Sequence, residues 1–155
     1  MEKLESSNIV KIGVVVRNIE DVAKRYGDLF NIEPPVVNYP DPNRKPAENA
    51  YKRFRGKDYH IMLKSTHINL DPVYLEILEP YDDTPSPWLE HLEKFGPSIC
   101  FLSFYINGFR QQIDIMGQQG YPMIFEEEKG FERYAYFDTL EKLGITLELK
   151  ERDPE

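Results

Sequence analysis

The feature that most restricts the fold of this chain is a repeated order of predicted elements in its two halves. Each half begins with an alternating apolar strand, at Ile9–Val16 in the first half and at Ser98–Ile106 in the second. In each half an amphipathic helix and then about three extended segments follow this strand. A helix from Trp88 to Phe95, with Ser86 as its N-cap, links the two halves. Both halves therefore have the order βαβββ.

Two βαβββ modules can bury their strands only by sharing a core, because each sheet alone leaves one face uncovered. The sequence therefore predicts an α+β fold in which residues 1–82 and 83–155 are two modules of one structural unit. We expect them to form one curved mixed sheet with a central concave cup.

Local signals place the helix ends. Asn18 precedes the first helix, with Asp21 positioned as in a capping box, and Asn107 is expected to cap the third helix. Val36–Tyr39 is predicted as a short strand before a proline-rich loop.

Charge and composition exclude several classes of protein. The 155 residues carry 19 basic and 27 acidic side chains, a net charge of −8, which argues against a nucleic-acid binder because phosphate contacts need a cationic surface. No apolar run approaches the roughly 20 residues of a membrane span, and the N-terminal residues lack the apolar stretch of a secretory signal. The single cysteine, Cys100, can form neither an internal disulfide nor a thiolate cage for zinc. We therefore expect a soluble, cytoplasmic protein that binds neither nucleic acid nor membrane.

One segment is basic, although the chain as a whole carries a negative net charge. From Arg44 to Lys64 there are seven basic residues against two acidic ones. Two interpretations stay open: a solvated strand pair with its loop, or a rim that binds the phosphate or carboxylate of an anionic ligand.

Two carboxylates take the same place in the repeat. When the last strands of the two modules are aligned, Glu76 and Glu148 fall at equivalent positions. A carboxylate in a strand ordinarily faces solvent, but pseudo-two-fold symmetry would bring both carboxylates to one concave surface. The first strands of the modules would add Lys11 and Phe101 to that surface.

Four stretches of the sequence carry a resemblance to known proteins: VKIGVVVRNIEDVAKRYGDLFNI, VYLEILEP, SPWLEHLEKFGPSICFLSFYI and YFDTLEKLGITLELKE. Together they resemble the vicinal oxygen chelate superfamily, which includes glyoxalase I, extradiol dioxygenases, bleomycin-resistance proteins and methylmalonyl-CoA epimerase. The resemblance covers nearly the whole chain and is closest to methylmalonyl-CoA-epimerase-like and glyoxalase-like proteins. It implies the glyoxalase-like fold, a small-molecule ligand and a homodimer.

The resemblance also implies a divalent metal held by one residue from each of four strands, usually His, Glu or Gln, His and Glu. In this sequence the four positions are Lys11, Glu76, Phe101 and Glu148. Two carboxylates without imidazole hold metals such as Zn, Co or Ni poorly, and a protonated Lys11 would oppose metal entry. We therefore expect Lys11 to pair with Glu76 or Glu148 in place of the metal, with no other cofactor.

The spacing of the three histidines does not restore the missing ligands. His60 and His67 are separated by an odd number of residues, so on a regular strand they face opposite sides. His67 is a candidate ligand-binding residue, against the alternative of a solvent-facing or packed histidine. His91 lies in the linking helix, where we expect it to be exposed.

Aromatic side chains are expected to line the cup. Phe101, Tyr105 and Tyr74 are the candidates for ligand binding, and Tyr134 or Tyr136 would add to them. The alternative is that these rings belong to the core. Pockets with an apolar lining and few polar groups suit small organic ligands.

The residues leave two functions open. The first is an epimerase-like isomerase or glyoxalase-like lyase that removes a proton next to a carbonyl, with Glu76 or Glu148 as general base. Lys11 would then stabilise the enolate, and the basic segment 44–64 would meet the phosphates of an acyl-CoA or another anionic compound. The second is a metal-free binding protein of the same fold, of the resistance-protein type, whose ligand lies among the aromatic rings.

Overall fold

The computed structural model describes residues 2–154. In that range the strands are β1 (Ile9–Val15), β2 (Tyr51–Phe54), β3 (Lys57–Asp58), β4 (Leu63–Asn69), β5 (Tyr74–Pro80), β6 (Ser98–Tyr105), β7 (Met123–Glu128), β8 (Glu132–Phe137) and β9 (Thr146–Arg152). The helices are α1 (Ile19–Leu29), α2 (Pro87–Phe95), α3 (Phe109–Gln118) and α4 (Leu140–Leu143).

The nine strands described belong to one mixed sheet, which confirms the predicted α+β fold. β1 pairs in parallel with β5, and β6 pairs in parallel with β9. The pairs β4–β5, β2–β7, β7–β8 and β8–β9 are antiparallel. In each half the first strand therefore lies beside the last strand of the same half, as the βαβββ repeat requires.

Contacts between residues divide the chain into two compact units. The first, here called the α1 unit, consists of residues 11–44 and 60–100, and the second, the α3 unit, consists of residues 2–10, 45–59 and 101–154. The β2–β3 hairpin precedes β4 in the sequence, yet β2 pairs with β7 of the α3 unit. These units differ from the two predicted βαβββ modules. The boundary between the modules at residue 82 refers to the repeated order of elements along the chain, and it stays a prediction.

In the α1 unit, one face of the strands packs against α1. Ile19, Ile68 and Ile77 are fully buried there and form a core cluster with Val16. The helix begins as predicted, because the Asn18 side chain accepts a hydrogen bond of 3.1 Å from the backbone N–H of Asp21. Apolar strand residues such as Ile68 and Ile77 therefore lie on the helix side, whereas the opposite face carries both polar and apolar side chains.

In the α3 unit, α3 covers one face of the strands in the same way. Phe109 and Met116 of the helix pack with Phe137 and Leu149 of the sheet. The predicted cap at Asn107 is wrong: the N-cap is Gly108, which makes no side-chain cap hydrogen bond. Its φ of 69° is a left-handed conformation that glycine adopts without the steric cost of a side chain.

Two further local predictions differ from the structure. Val36–Tyr39 is not a strand, since its pairing is a single bridge between Asn38 and Ser65. His91 is half-buried rather than exposed, and its Nε2 lies 2.8 Å from Ser98 Oγ. Among residues 2–154, none of the helices has the length and apolarity that a membrane crossing requires.

Truncation of a core residue tests the packing of the α1 unit. Ile77 is fully buried in the core cluster, so Ile77→Ala should lower the free energy of unfolding by about 2–5 kcal/mol. Leu29, at 76% exposure, provides the control: Leu29→Ala should change it by less than about 0.5 kcal/mol. Chemical denaturation measures both variants, and equal effects would contradict this core.

The pH dependence of stability tests the environment of His91. Burial lowers the pKa of His91 from its ordinary value of 6.5. The unfolded chain therefore takes up this proton at a higher pH than the folded chain, so acidification below 6.5 favours unfolding. We expect His91→Gln, compared by urea denaturation at about pH 7.5 and pH 5, to lose less stability on acidification than the wild type. Identical losses of stability in the wild type and in His91→Gln would contradict a half-buried His91 with a lowered pKa.

Candidate functional site

Three neighbouring strands of the α1 unit bring polar side chains together on the face opposite α1. β5 lies between β1 and β4, with Glu76 directly opposite His67 on one side and Gly13 on the other. Residues opposite one another in a sheet share a face, and diagonal neighbours lie within reach of long side chains. Lys11 is such a diagonal neighbour of Glu76, and Gly13 places no side chain between them. Lys11, Glu76 and His67 form what is called here the Lys11–Glu76–His67 cluster.

The centre of the cluster is an ion pair. The Lys11 Nζ atom lies 3.3 Å from both carboxylate oxygens of Glu76. Lys11 is buried, with 3% of its surface exposed, whereas the Glu76 side chain is 18% exposed. Of the two partners that the sequence left open for Lys11, the structure thus brings Glu76 into hydrogen-bond contact.

His67 forms the outer side of the cluster. Its Nε2 atom lies 3.1 Å from Glu76 Oε2. Its ring meets Tyr74 edge to face, with 5.2 Å between ring centroids and 81° between the planes. The His67 side chain is 49% exposed, so it is the member of the cluster most open to an approaching molecule.

The contact between His67 and Glu76 depends on the β4–β5 hairpin. Asn69 lies opposite Tyr74, so the connection is residues 70–73, and it includes Asp71-Pro72. Proline and aspartate favour turns. This turn was the signal in the sequence that could have paired His67 with Glu76.

The residues at this site do not fit the divalent metal that the resemblance implies. Both oxygens of Glu76 face the buried Lys11 ammonium, whose positive charge opposes a cation at the same carboxylate. Phe101 provides no ligand atom. Among residues 2–154, no three or more His, Cys, Asp and Glu side chains are grouped so that they could hold a metal ion.

Glu148 lies in the α3 unit and is buried, with 1% of its surface exposed. Glu148 thus differs from the usual strand carboxylate, which faces solvent. Ser103, directly opposite on β6, donates its hydroxyl hydrogen to Glu148 Oε1 over 2.6 Å. Ser103 was missed in the sequence, because its role depends on the register between β6 and β9.

Three of the four aromatic candidates of the α3 unit form a packed group. Phe101 is fully buried, and its ring centroid lies 4.9 Å from that of Tyr136. Tyr136 in turn lies 5.8 Å from Tyr134, whose hydroxyl donates to Glu127. Tyr105 is 37% exposed and is thus the most accessible of the four.

The basic segment 44–64 is partly neutralised by carboxylates. Lys64 lies 3.0 Å from Glu79 and 3.1 Å from Glu20, and these contacts raise the pKa of Lys64. Arg53 pairs with Asp58 across the hairpin at 2.8 Å. Arg55 and Lys57, at the tip of the hairpin, are exposed.

A second buried carboxylate of the α3 unit was also missed. Glu126, with 3% of its surface exposed, accepts a 2.8 Å hydrogen bond from the Tyr51 hydroxyl and lies 2.6 Å from Arg110 Nη2. Burial, together with the hydrogen bond to Glu126, raises the pKa of Tyr51. The group connects β2, β7 and α3, and no local sequence pattern predicts such a long-range register.

Comparison with known proteins finds no matching family model and no match among curated proteins. Solved structures do match. Methylmalonyl-CoA epimerase from Mycobacterium tuberculosis is 15% identical with a TM-score of 0.65, over 99% of this chain and 93% of that one. A variant of the Streptomyces coelicolor epimerase is also 15% identical, with a TM-score of 0.62 over 96% of this chain and 99% of that one.

A different enzyme shares the same architecture. A variant of 4-hydroxymandelate synthase from Streptomyces coelicolor is 11% identical with a TM-score of 0.58, over 96% of this chain and 49% of that one. At such identities the likeness concerns the fold alone. Both kinds of enzyme belong to the superfamily that the sequence resembles. The chain therefore has the fold of the vicinal oxygen chelate superfamily.

Proposed function

We propose that this protein transfers a proton next to a carbonyl group, as an epimerase-like isomerase or glyoxalase-like lyase, and that it does so without a divalent metal. The observation that carries the proposal is the buried Lys11 ammonium beside both oxygens of Glu76. These are two of the positions at which the resemblance implies metal ligands. A fixed positive charge thus accompanies a carboxylate at the place where the superfamily would use a metal.

The chemistry needs a base and a stabilised enolate. Removal of a proton next to a carbonyl leaves negative charge on the carbonyl oxygen, and a preorganised positive charge lowers the energy of that state. In this proposal Glu76 supplies the basicity and Lys11 the positive charge. Glu148, held by Ser103, is the second carboxylate that we assign to proton transfer.

The neighbouring structures support an acyl thioester as substrate. One epimerase structure contains methylmalonyl-CoA and NH4+, and another contains 2-nitronate-propionyl-CoA. For this chain we propose an acyl-CoA or a related anionic carbonyl compound. The exposed Arg55 and Lys57 of the β2–β3 hairpin are cationic side chains of the kind that bind phosphate groups.

The second candidate is a metal-free binding protein. The specific observation in its favour is the group of aromatic rings formed by Phe101, Tyr134 and Tyr136, because aromatic side chains commonly line sites for small organic ligands. In that case Lys11, Glu76 and Glu148 would hold the structure or contact an anionic ligand. For either function we propose a cytoplasmic homodimer.

Hydrogen exchange into acyl thioesters separates the two candidates. In D2O the wild type should exchange the α-hydrogens of propionyl-CoA or methylmalonyl-CoA, which proton NMR follows directly. Glu76→Gln and Glu148→Gln should each slow this exchange by about 10²–10⁴-fold, because an amide has neither the negative charge nor the basicity of a carboxylate. Glu93→Gln, at an exposed carboxylate of α2, should leave the rate unchanged. Tight binding of a thioester without any exchange would overturn the enzymatic proposal in favour of the binding protein.

Metal loading tests the role assigned to Lys11. After incubation with Co, Ni, Zn or Mn and gel filtration, elemental analysis should find less than stoichiometric metal, because the ammonium opposes a second cation at Glu76. Treatment with a chelator should leave the exchange rate unchanged. Stoichiometric metal that is lost in Glu76→Ala would contradict a metal-independent mechanism.

A further inference from the structure

We propose that His67, through its Nδ1 atom, is the group that takes the proton from the substrate, and that Glu76 acts as the positioning residue that prepares it. This inference rests on the proposed function and deepens it: the basicity assigned to Glu76 is exerted through the imidazole. It also defines the substrate as a thioester or ketone with an acidic C–H next to its carbonyl.

Accessibility distinguishes His67 from its partners. The Lys11 side chain is 4% exposed and the Glu76 side chain 18%, whereas the His67 side chain is 49% exposed. A substrate approaching this face of the α1 unit therefore reaches the imidazole before it reaches the carboxylate. A general base has to come within hydrogen-bond distance of the proton that it removes.

The contacts of Glu76 also favour His67 as the group that takes the proton. One of its oxygens accepts from Lys11, and the other accepts from Lys11 and also lies 3.1 Å from His67 Nε2. A carboxylate with both oxygens engaged has less capacity to take a further proton. It is, however, well placed to accept the Nε2 hydrogen of an imidazole.

This hydrogen bond selects one tautomer of His67. An ionised carboxylate only accepts, so Nε2 carries the hydrogen and Nδ1 keeps its lone pair. In the described part of the chain, the ring contacts of His67 are those with Glu76 and Tyr74. The edge-to-face contact with Tyr74 fixes the plane of the ring.

The proton transfer is balanced without any further reactant. The C–H bond next to the carbonyl breaks, its proton bonds to Nδ1, and its electron pair forms the enolate. The resulting imidazolium donates from Nε2 to Glu76, which stabilises its charge as in other carboxylate–histidine pairs. In D2O the proton on Nδ1 is replaced by a deuteron from the solvent, and transfer of this deuteron to the carbon completes the exchange and restores the neutral imidazole.

The experiment combines hydrogen exchange with chemical rescue. His67→Ala should slow the exchange of acyl-CoA α-hydrogens in D2O by about 10²–10⁴-fold, and added imidazole should restore a large part of the rate. His67→Gln, which fills the same space, should stay inactive and should not respond to imidazole. His60→Ala, at an exposed histidine before β4, is the matched control and should keep the wild-type rate.

A spectroscopic measurement tests the positioning role of Glu76 independently of turnover. In protein labelled with 15N in its histidines, the neutral His67 ring should show hydrogen on Nε2 and a bare Nδ1, and Glu76→Gln should weaken that preference. A bare Nε2 in the wild type would overturn the inference.

The outcomes separate the two proposals. If the wild type exchanges hydrogen and His67→Ala keeps the rate, His67 is not the proton acceptor, while the proposed function stands. If the wild type exchanges no hydrogen with any thioester, both proposals are overturned.

Discussion

A buried ammonium group determines how one face of this protein is built. Lys11 is almost completely removed from solvent, and a buried charge without a partner destabilises a fold by several kcal/mol, typically about 3–5 kcal/mol. Glu76 is the partner that neutralises this charge, since both of its carboxylate oxygens lie 3.3 Å from the ammonium nitrogen. The register between β1 and β5 is thereby tied to charge neutralisation as well as to the apolar packing on the other face. The same ion pair orients the carboxylate toward His67.

The strands of each unit have two different faces, so the core can pack on one face while the polar side chains lie on the other. α1 and α3 take up the apolar residues of their strands, including Ile77 in one unit and Leu149 in the other. Because period-two alternation sends the intervening residues to the opposite face, the polar side chains of β1, β5 and β9 are free of the packing demands of the helices. Lys11, Glu76 and Glu148 therefore lie on the strand faces that do not pack against α1 or α3.

Much of the fold could be predicted because its signals are local. The alternation in β1 and β6, the cap at Asn18 and the Ser86-Pro87 start of α2 each depend on residues within one turn or strand. The cap at Asn107 was predicted wrongly because the neighbouring Gly108 takes the left-handed conformation at the N-cap. The partner of β2 could not be predicted, since its pairing with β7 joins segments about 75 residues apart. Glu126, Tyr51 and Arg110 depend on that same long-range register.

The sequence by itself determined the repeated order of elements, the residues that face each helix and the two carboxylates at equivalent strand positions, because each of these follows from periodicity along the chain. Only the tertiary structure decided that Glu76 lies in hydrogen-bond contact with Lys11, that Glu148 is buried against Ser103, and that His67 lies beside Glu76. These contacts depend on which strands are adjacent and in what register. A change of one residue in the β4–β5 register would turn His67 to the opposite face of the sheet, so the contact with Glu76 depends on the exact pairing of the two strands.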